Sequence, residues 1–241
     1  MELEIQGYFL LIPFTINFLL ALILYSRGER AYVKINRSFA MWVLTICFWD
    51  MQLIAQTSTM PEKMLRVLYQ ISLAGQWVMP SAFLYFVFCF THEKITLRKR
   101  LWICVPAFFF LFLVILDVLG FGTVIDAIRV NSYGNMGRSV VYEMYSFLAW
   151  LIYFIIYIFW GTILFAGHIK RTTVAFYESS LLSLWHQSEF LLSSGAVLIF
   201  IFGLTVDIII PIFKPLVFPV SGITTLIMVV LMSYLLFKVE K

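Results

Sequence analysis

The chain has 241 residues, of which 62% are hydrophobic and only 12% charged, with a formal net charge of +4 at pH 7. Soluble domains carry roughly 25% charged residues, and so few polar groups cannot cover this much apolar surface in water. The composition therefore excludes a soluble globule and predicts an integral membrane protein. Because anchoring to anionic lipid explains the basic excess, we expect the lipid bilayer as a partner and no nucleic acid.

Seven apolar stretches are long enough to cross a bilayer as helices, since a span needs about 20 residues. None of them alternates polar and apolar residues as a transmembrane β-strand does. We therefore predict an all-α membrane protein, a seven-transmembrane helix bundle that forms a single domain over 1–241. The predicted spans are 8–25, 38–56, 67–90, 101–119, 141–166, 190–210 and 217–237.

The positions of lysine and arginine predict the orientation of the bundle. Twelve of the 17 basic residues fall in the links after the first, third and fifth spans and at the C-terminus. The others lie on the opposite side: Lys63, Arg66, Arg129, Arg138 and Lys214. Because cytoplasmic links carry the basic excess, we expect the N-terminus outside and the C-terminus in the cytoplasm.

Two links are long enough to have structure of their own. The outer link, 120–139, contains four glycines and two asparagines, which is typical of a loop, and we expect it to cover an opening in the bundle. The inner link, 168–189, places apolar residues at helical spacing among polar ones. That pattern fits a helix on the membrane surface and an extension of the neighbouring spans equally well.

Acidic residues within spans are candidates for function because a charge in the bilayer core is costly. Asp50 and Asp207 lie in the outer halves of the second and sixth spans, and two interpretations stay open for them: a ligand-binding carboxylate, or a carboxyl that fixes helix packing. Asp117 and Glu143 lie near the outer ends of the fourth and fifth spans. We expect these two to be solvated near the headgroups.

Polar and aromatic side chains accompany the acids at similar depth. Trp49 and Gln52 share a helix face, and Gln76 lies near Pro80, which opens the hydrogen-bond ladder of the third span. We predict a ligand-binding site formed by Trp49, Asp50, Gln52, Gln76, Trp77 and Asp207. An acidic pocket of this kind favours a small ligand that is cationic or donates hydrogen bonds.

Motifs for catalysis, metal binding or cofactor binding do not occur in the sequence. It contains neither HExxH nor a glycine-rich nucleotide loop. We therefore predict no catalytic residues, no metal and no cofactor.

Three stretches resemble the N-terminal seven-transmembrane sensor region of prokaryotic histidine kinases, and a fourth, "GLTVDIIIPIFKPLVFPVSGITTLIMVVLMSYLLFK", is similar to the sixth and seventh helices of that family. The first three are "NRSFAMWVLTICFWDMQLIAQTS", "VLYQISLAGQWVMPSAFLYFVFCFTH" and "RLWICVPAFFFLFLVILD". The shared features are an acidic residue after a tryptophan (Trp49 and Asp50), a glycine and a proline in the third helix (Gly75 and Pro80) and an early proline in the fourth (Pro106). The resemblance implies a sensor in the plasma membrane of a prokaryote, a two-component partner and a homodimer.

The functional expectation is a membrane sensor that detects a small extracellular or membrane-borne ligand and signals to a cytoplasmic histidine kinase or other partner. Ligand binding would favour one of two helix arrangements, which the seventh span would transmit. The alternative is a small-solute or proton-coupled transporter that uses the same acids. The kinase domains of the family are missing after "FKVEK", so we expect an excised sensor module or a stand-alone protein and leave its status as an enzyme open.

Overall fold

The computed structural model describes residues 5–27, 33–57, 60–130, 138–176, 225–231 and 233–234. The long elements are α1 (Ile5–Ser26), α2 (Val33–Gln56), α3 (Glu62–Phe90), α4 (Leu97–Val118), β1 (Ile125–Val130), β2 (Arg138–Tyr142) and α5 (Met144–Phe176). Each of the five helices contains a stretch that is long and apolar enough to cross a bilayer. The chain is therefore a mostly helical membrane protein, as its composition predicted.

The first five predicted spans each coincide with one of these helices, but the predicted start of the fifth is wrong. Val141 lies in β2, and α5 begins at Met144. With 33 residues, α5 is about 50 Å long, whereas the hydrocarbon core is about 30 Å thick. The first part of the link 168–189 thus extends α5. The predicted sixth span lies outside the described residues, as does most of the seventh, within which 225–231 is helical.

Helix α3 is central among the described helices. About 72% of its apolar stretch is buried and 67% of that of α2, against 28% for α1, α4 and α5. Close packing joins α1 to α2, α2 to α3, α3 to α4 and α3 to α5. Aromatic rings fill the contact between α2 and α3, where Trp42 stacks on Phe86 at 5.6 Å and tilts against Phe83 at 4.9 Å.

A proline in α3 is bridged to both α4 and α5. Pro80 has no backbone N–H and opens the helix at this level. The next residue, Ser81, donates its backbone N–H to the hydroxyl of Tyr153 in α5 at 3.1 Å and its own hydroxyl to the carbonyl of Ile103 in α4 at 2.5 Å. Because that carbonyl only accepts, the 2.6 Å contact between the two hydroxyls has Tyr153 as its donor.

Helix α4 also contains a proline, Pro106, and the next tyrosine along α5, Tyr157, compensates for it. Pro106 cannot donate to the carbonyl of Trp102 four residues earlier, and the hydroxyl of Tyr157 donates to that carbonyl instead. Tyr153 and Tyr157 are one helical turn apart, so a single face of α5 serves both interrupted helices. We call this set the proline junction: Pro80, Ser81, Pro106, Tyr153 and Tyr157.

The link between α4 and α5 is an antiparallel hairpin over the part that the structure describes. Ile125 pairs with Tyr142 and Val130 with Arg138, with a register shift between Ile125 and Ala127. The sequence predicted only a loop here, so the strands are a correction. The end of the bundle that carries β1 and β2 is called the hairpin end below.

Candidate functional site

Asp117 is buried near the hairpin end of α4, with only 1% of its surface exposed. Its Oδ1 accepts the backbone N–H groups of Val124 and Ile125 at 3.0 and 3.1 Å, and its Oδ2 accepts from Nε2 of Gln70 at 2.8 Å. Nη2 of Arg66 lies 3.9 Å from Oδ2 and donates to the carbonyl of Ile125 at 3.2 Å. The expectation that Asp117 is solvated is therefore wrong: it anchors the start of the hairpin, because the chain folds back over it.

Asp50 is completely buried and contacts α1. Its Oδ2 accepts a hydrogen bond from Nδ2 of Asn17 at 3.2 Å. Asn17 is itself buried in the middle of α1. The carboxyl group of Asp50 therefore takes part in the α1–α2 interface.

Gln52 connects α2 to the hairpin. Its Nε2 donates to the hydroxyl of Tyr142 at 2.6 Å. The Tyr142 ring stacks on Phe147 of α5 with ring centroids 5.2 Å apart. Burial raises the pKa of Tyr142 to about 12, although the hydrogen bond with Gln52 acts in the opposite direction, so the hydroxyl is neutral at physiological pH.

The predicted site residues of α2 thus fall on two sides of the helix. Residues two apart are separated by about 200° around an α-helix, so Asp50 points to α1 while Gln52 points to the hairpin. Trp49, three residues before Gln52, shares the Gln52 side. The structure brings Trp49 and Gln52 together and gives Asp50 a separate partner.

Trp77 of α3 packs within an aromatic cluster. Its ring meets Phe110 of α4 edge-on at 5.3 Å and stacks against Trp150 of α5 at 6.5 Å. Trp150 in turn contacts Phe147 at 6.0 Å. The stack therefore continues from the centre of α3 to the Tyr142 ring beside Gln52.

Gln76 lies on the side of α3 between α2 and α5. Seven residues further along this side, Phe83 touches both neighbours: its ring is 4.9 Å from that of Trp42 in α2, and a Cβ atom added at Gly161 of α5 would be 2.5 Å from its Cε1. Residues seven apart lie on one helix face. Gln76 is only 4% exposed, so its amide is buried between these two helices.

Three polar atoms around this position have no hydrogen-bond partner within the part of the chain that the structure describes. They are Nε1 of Trp49, Oε1 of Gln52 and Nε1 of Trp150, and all three are buried. They belong to neighbouring turns of the three helices: Phe48, next to Trp49, fills the space beside Gly75 of α3, and Trp150 stacks on Trp77. Gln52 bonds Tyr142, whose ring is joined to Trp150 through Phe147. We call this group the hairpin-side site: Trp49, Gln52, Gln76, Tyr142 and Trp150.

The remaining acids have different positions. Asp207 lies outside the described residues. Oε2 of Glu143 accepts the backbone N–H of Ser146 at 2.7 Å, which caps the first turn of α5. Backbone hydrogen bonds from Ser146 and Tyr145 hold the pKa of Glu143 below its ordinary value.

The predicted site left out four residues of these clusters, although the sequence placed one of them, Gln70, near the outer end of the third span. Asn17 and Gln70 carried a detectable signal, since each is a polar residue inside an apolar span. Tyr142 and Trp150 carried no such signal, because nothing in the sequence distinguishes them from the other tyrosines and tryptophans of the chain, which has 12 and 7 of them. Only the fold places them beside Gln52.

Over the described residues, no group of three or more histidine, cysteine or acidic side chains is arranged to hold a metal ion. No protein-family model matches the chain, and no curated protein matches it in sequence.

Proposed function

We propose that this chain is a membrane sensor domain that binds a small ligand between α2, α3 and α5 near the hairpin end. The observation that carries the proposal is the set of three buried polar atoms of the hairpin-side site that find no partner within the described part of the chain. A buried donor or acceptor without a partner costs about 1–3 kcal/mol, so a site that keeps three of them favours a ligand that fills them.

The surroundings of the site support reception of a ligand at this end. The Gln52–Tyr142 hydrogen bond joins the hairpin to Gln52, one of the residues with an unpartnered buried atom in the described part of the chain. In the proposed orientation the hairpin end faces the outside, in line with the basic links at the other end. A ligand then enters beside the short hairpin rather than between the packed helices.

Packing in the opposite half of the bundle favours sensing over transport. There, Phe39, Trp42, Phe83 and Phe86 form one continuous set of ring contacts between α2 and α3. A transport path needs polar groups or water along its length, and this part of the α2–α3 contact is closed by rings. The proposed output is instead a change in helix arrangement that a cytoplasmic histidine kinase or other signalling partner detects.

A distance measurement tests this function. Spin labels at Lys94→Cys, beyond α3, and Gly167→Cys, in α5, report the separation of these helices at the end away from the hairpin. The chain also carries Cys104→Ser, because Cys104 is the exposed free thiol among the described cysteines. Compounds that raise the thermal stability of the chain in nanodiscs to saturation are expected to shift the distance distribution, and Gln52→Ala should abolish both effects.

Two results would contradict the proposal. One is a set of saturably stabilising compounds that all leave the label distance unchanged. The other is net flux of such a compound into proteoliposomes, which would indicate the transporter instead.

A further inference from the structure

We infer that the hairpin-side site takes an uncharged ligand that has an apolar, flat body, a hydrogen-bond acceptor for the two indole N–H groups and a donor for the Gln52 carbonyl. This inference rests on the proposed function and narrows its ligand. The sequence had suggested a cationic or hydrogen-bond-donating molecule, and the positions of the side chains favour the second.

The buried carboxylates of the described helices, Asp50 and Asp117, bind partners outside the hairpin-side site. Asp50 bonds Asn17 of α1, on the side of α2 away from Gln52. Asp117 accepts three N–H groups at the start of the hairpin, and Arg66 lies beside it. Among the described residues, a charged ligand at the hairpin-side site would therefore be buried beside amide, hydroxyl and indole groups. Burial of an ion without a counter-charge is strongly unfavourable.

The unfilled atoms define complementary chemistry. An indole nitrogen donates only, so Trp49 and Trp150 both require an acceptor on the ligand. The Oε1 atom of Gln52 requires a donor, while its Nε2 is already engaged by Tyr142. A primary or secondary amide supplies one acceptor and at least one donor in a single planar group, without charge.

The aromatic side chains around the site favour a ligand with an aromatic or similarly flat body. Trp77 and Trp150 are stacked with an angle of 20° between their planes, and Phe147 is tilted by 32° against Trp150. A flat ring joins an aromatic cluster of this kind in offset-stacked or edge-on contact. The proposed ligand thus combines a ring with a neutral amide-like group.

Three probes of similar size but different charge test the ligand class: phenylacetamide, phenethylammonium and phenylacetate. Each is titrated against the full chain in nanodiscs made of neutral lipid, and binding is followed by saturable change in melting temperature. We expect saturation with phenylacetamide at a concentration at least tenfold lower than with either ion. Empty nanodiscs correct for partition into lipid.

Substitutions then locate the binding. Trp49→Phe and Trp150→Phe keep a ring and remove the N–H, so each should weaken phenylacetamide binding about threefold to tenfold, the range of one hydrogen bond. Trp160→Phe is the matched control, because Trp160 packs against Phe88 far from the hairpin end, and should leave binding unchanged. Gln52→Glu places a carboxylate in the site and should transfer the preference to phenethylammonium.

The outcomes separate this inference from the proposed function. Preference of the unmodified chain for an ion, equal effects of the control and the site substitutions, or no saturable response to phenylacetamide would each overturn the neutral-ligand inference. None of these results bears on whether a stabilising compound moves α5 relative to α3, which the label distances decide. Conversely, phenylacetamide binding without helix movement would support the site and count against sensing, which fails if every saturably stabilising compound behaves in the same way.

Discussion

The substitution Asp117→Ala removes the acceptor of three hydrogen bonds at the base of the hairpin. Two of the donors are the backbone N–H groups of Val124 and Ile125, each in a residue only 1% exposed, and neither can turn towards water. At about 1–3 kcal/mol for each buried donor left without a partner, the loss is about 2–6 kcal/mol. The side chain of Gln70 is free to rotate, so its share is smaller.

A matched substitution separates the lost acceptor from the lost charge. In Asp117→Asn, the amide oxygen still accepts both backbone N–H groups, and Gln70 can turn its own oxygen to the new NH₂ group. We expect this variant to lose about 1 kcal/mol, the scale of one hydrogen bond. Asp126→Ala, at an exposed position in β1, controls for the removal of a nearby carboxylate and should behave like the unmodified chain.

The assay combines thermal unfolding in nanodiscs with hydrogen exchange of the amides at Val124 and Ile125. Exchange there should accelerate strongly in Asp117→Ala and slightly in Asp117→Asn. If Asp117→Ala exchanges at the rate of the unmodified chain, Asp117 is not the anchor of the hairpin and the buried-acceptor argument fails.

Three further substitutions test other parts of the fold. Tyr153→Phe removes one hydroxyl from the proline junction and should destabilise the bundle by roughly 1–2 kcal/mol in thermal unfolding; an unchanged midpoint would show that the junction adds no stability. Glu143→Gln should remove an acid-sensitive contribution: because the folded-state pKa is lowered, the cap stabilises the native chain above the ordinary value of 4.5 and is lost as pH falls through the folded pKa. Melting curves over that range should converge for the two chains at low pH, and parallel curves would contradict the cap. Gly75→Ala places a methyl group on the Phe48 ring and should cost about 1–3 kcal/mol. Its control, Gly167→Ala, meets nothing within 4 Å and should keep the stability or raise it by up to about 1 kcal/mol in the same measurement, because alanine is the better helix former.

The sequence predicted the five described spans because length and hydropathy act locally, and it missed the hairpin because pairing does not. The strands "IDAIRV" and "RSVVY" contain β-branched residues, but each is short. The glycines around them gave the whole segment the pattern of a loop. The first predicted residue of the fifth span, Val141, was apolar enough to continue a helix. Its pairing with Ala127 in β1 decides otherwise.

The sequence predicted the depth of the candidate site in the membrane, but not which of its side chains lie together. The sequence placed Asp50 and Gln52 together, since they are two residues apart, and only the positions of α1 and the hairpin show that they face different partners. Asp117 was located correctly and its surroundings were not, because its partners include backbone amides that no side-chain pattern reveals. The contribution of Asp207 stays a prediction.

Helix α5 links the hairpin-side site to the proline junction through a single face. Trp150, Tyr153 and Tyr157 follow one another at spacings of three and four residues, so they lie along one stripe of a rigid helix. Trp150 belongs to the hairpin-side site, and the hydroxyls of Tyr153 and Tyr157 make hydrogen bonds at the interrupted levels of α3 and α4. A rotation of α5 that displaces the Trp150 indole must also withdraw both hydroxyls. Because the prolines leave the α3 and α4 ladders incomplete at these levels, such a rotation changes the local support of both helices. If the chain senses a ligand as proposed, this is the route by which occupancy near the hairpin would reach the opposite end of the bundle.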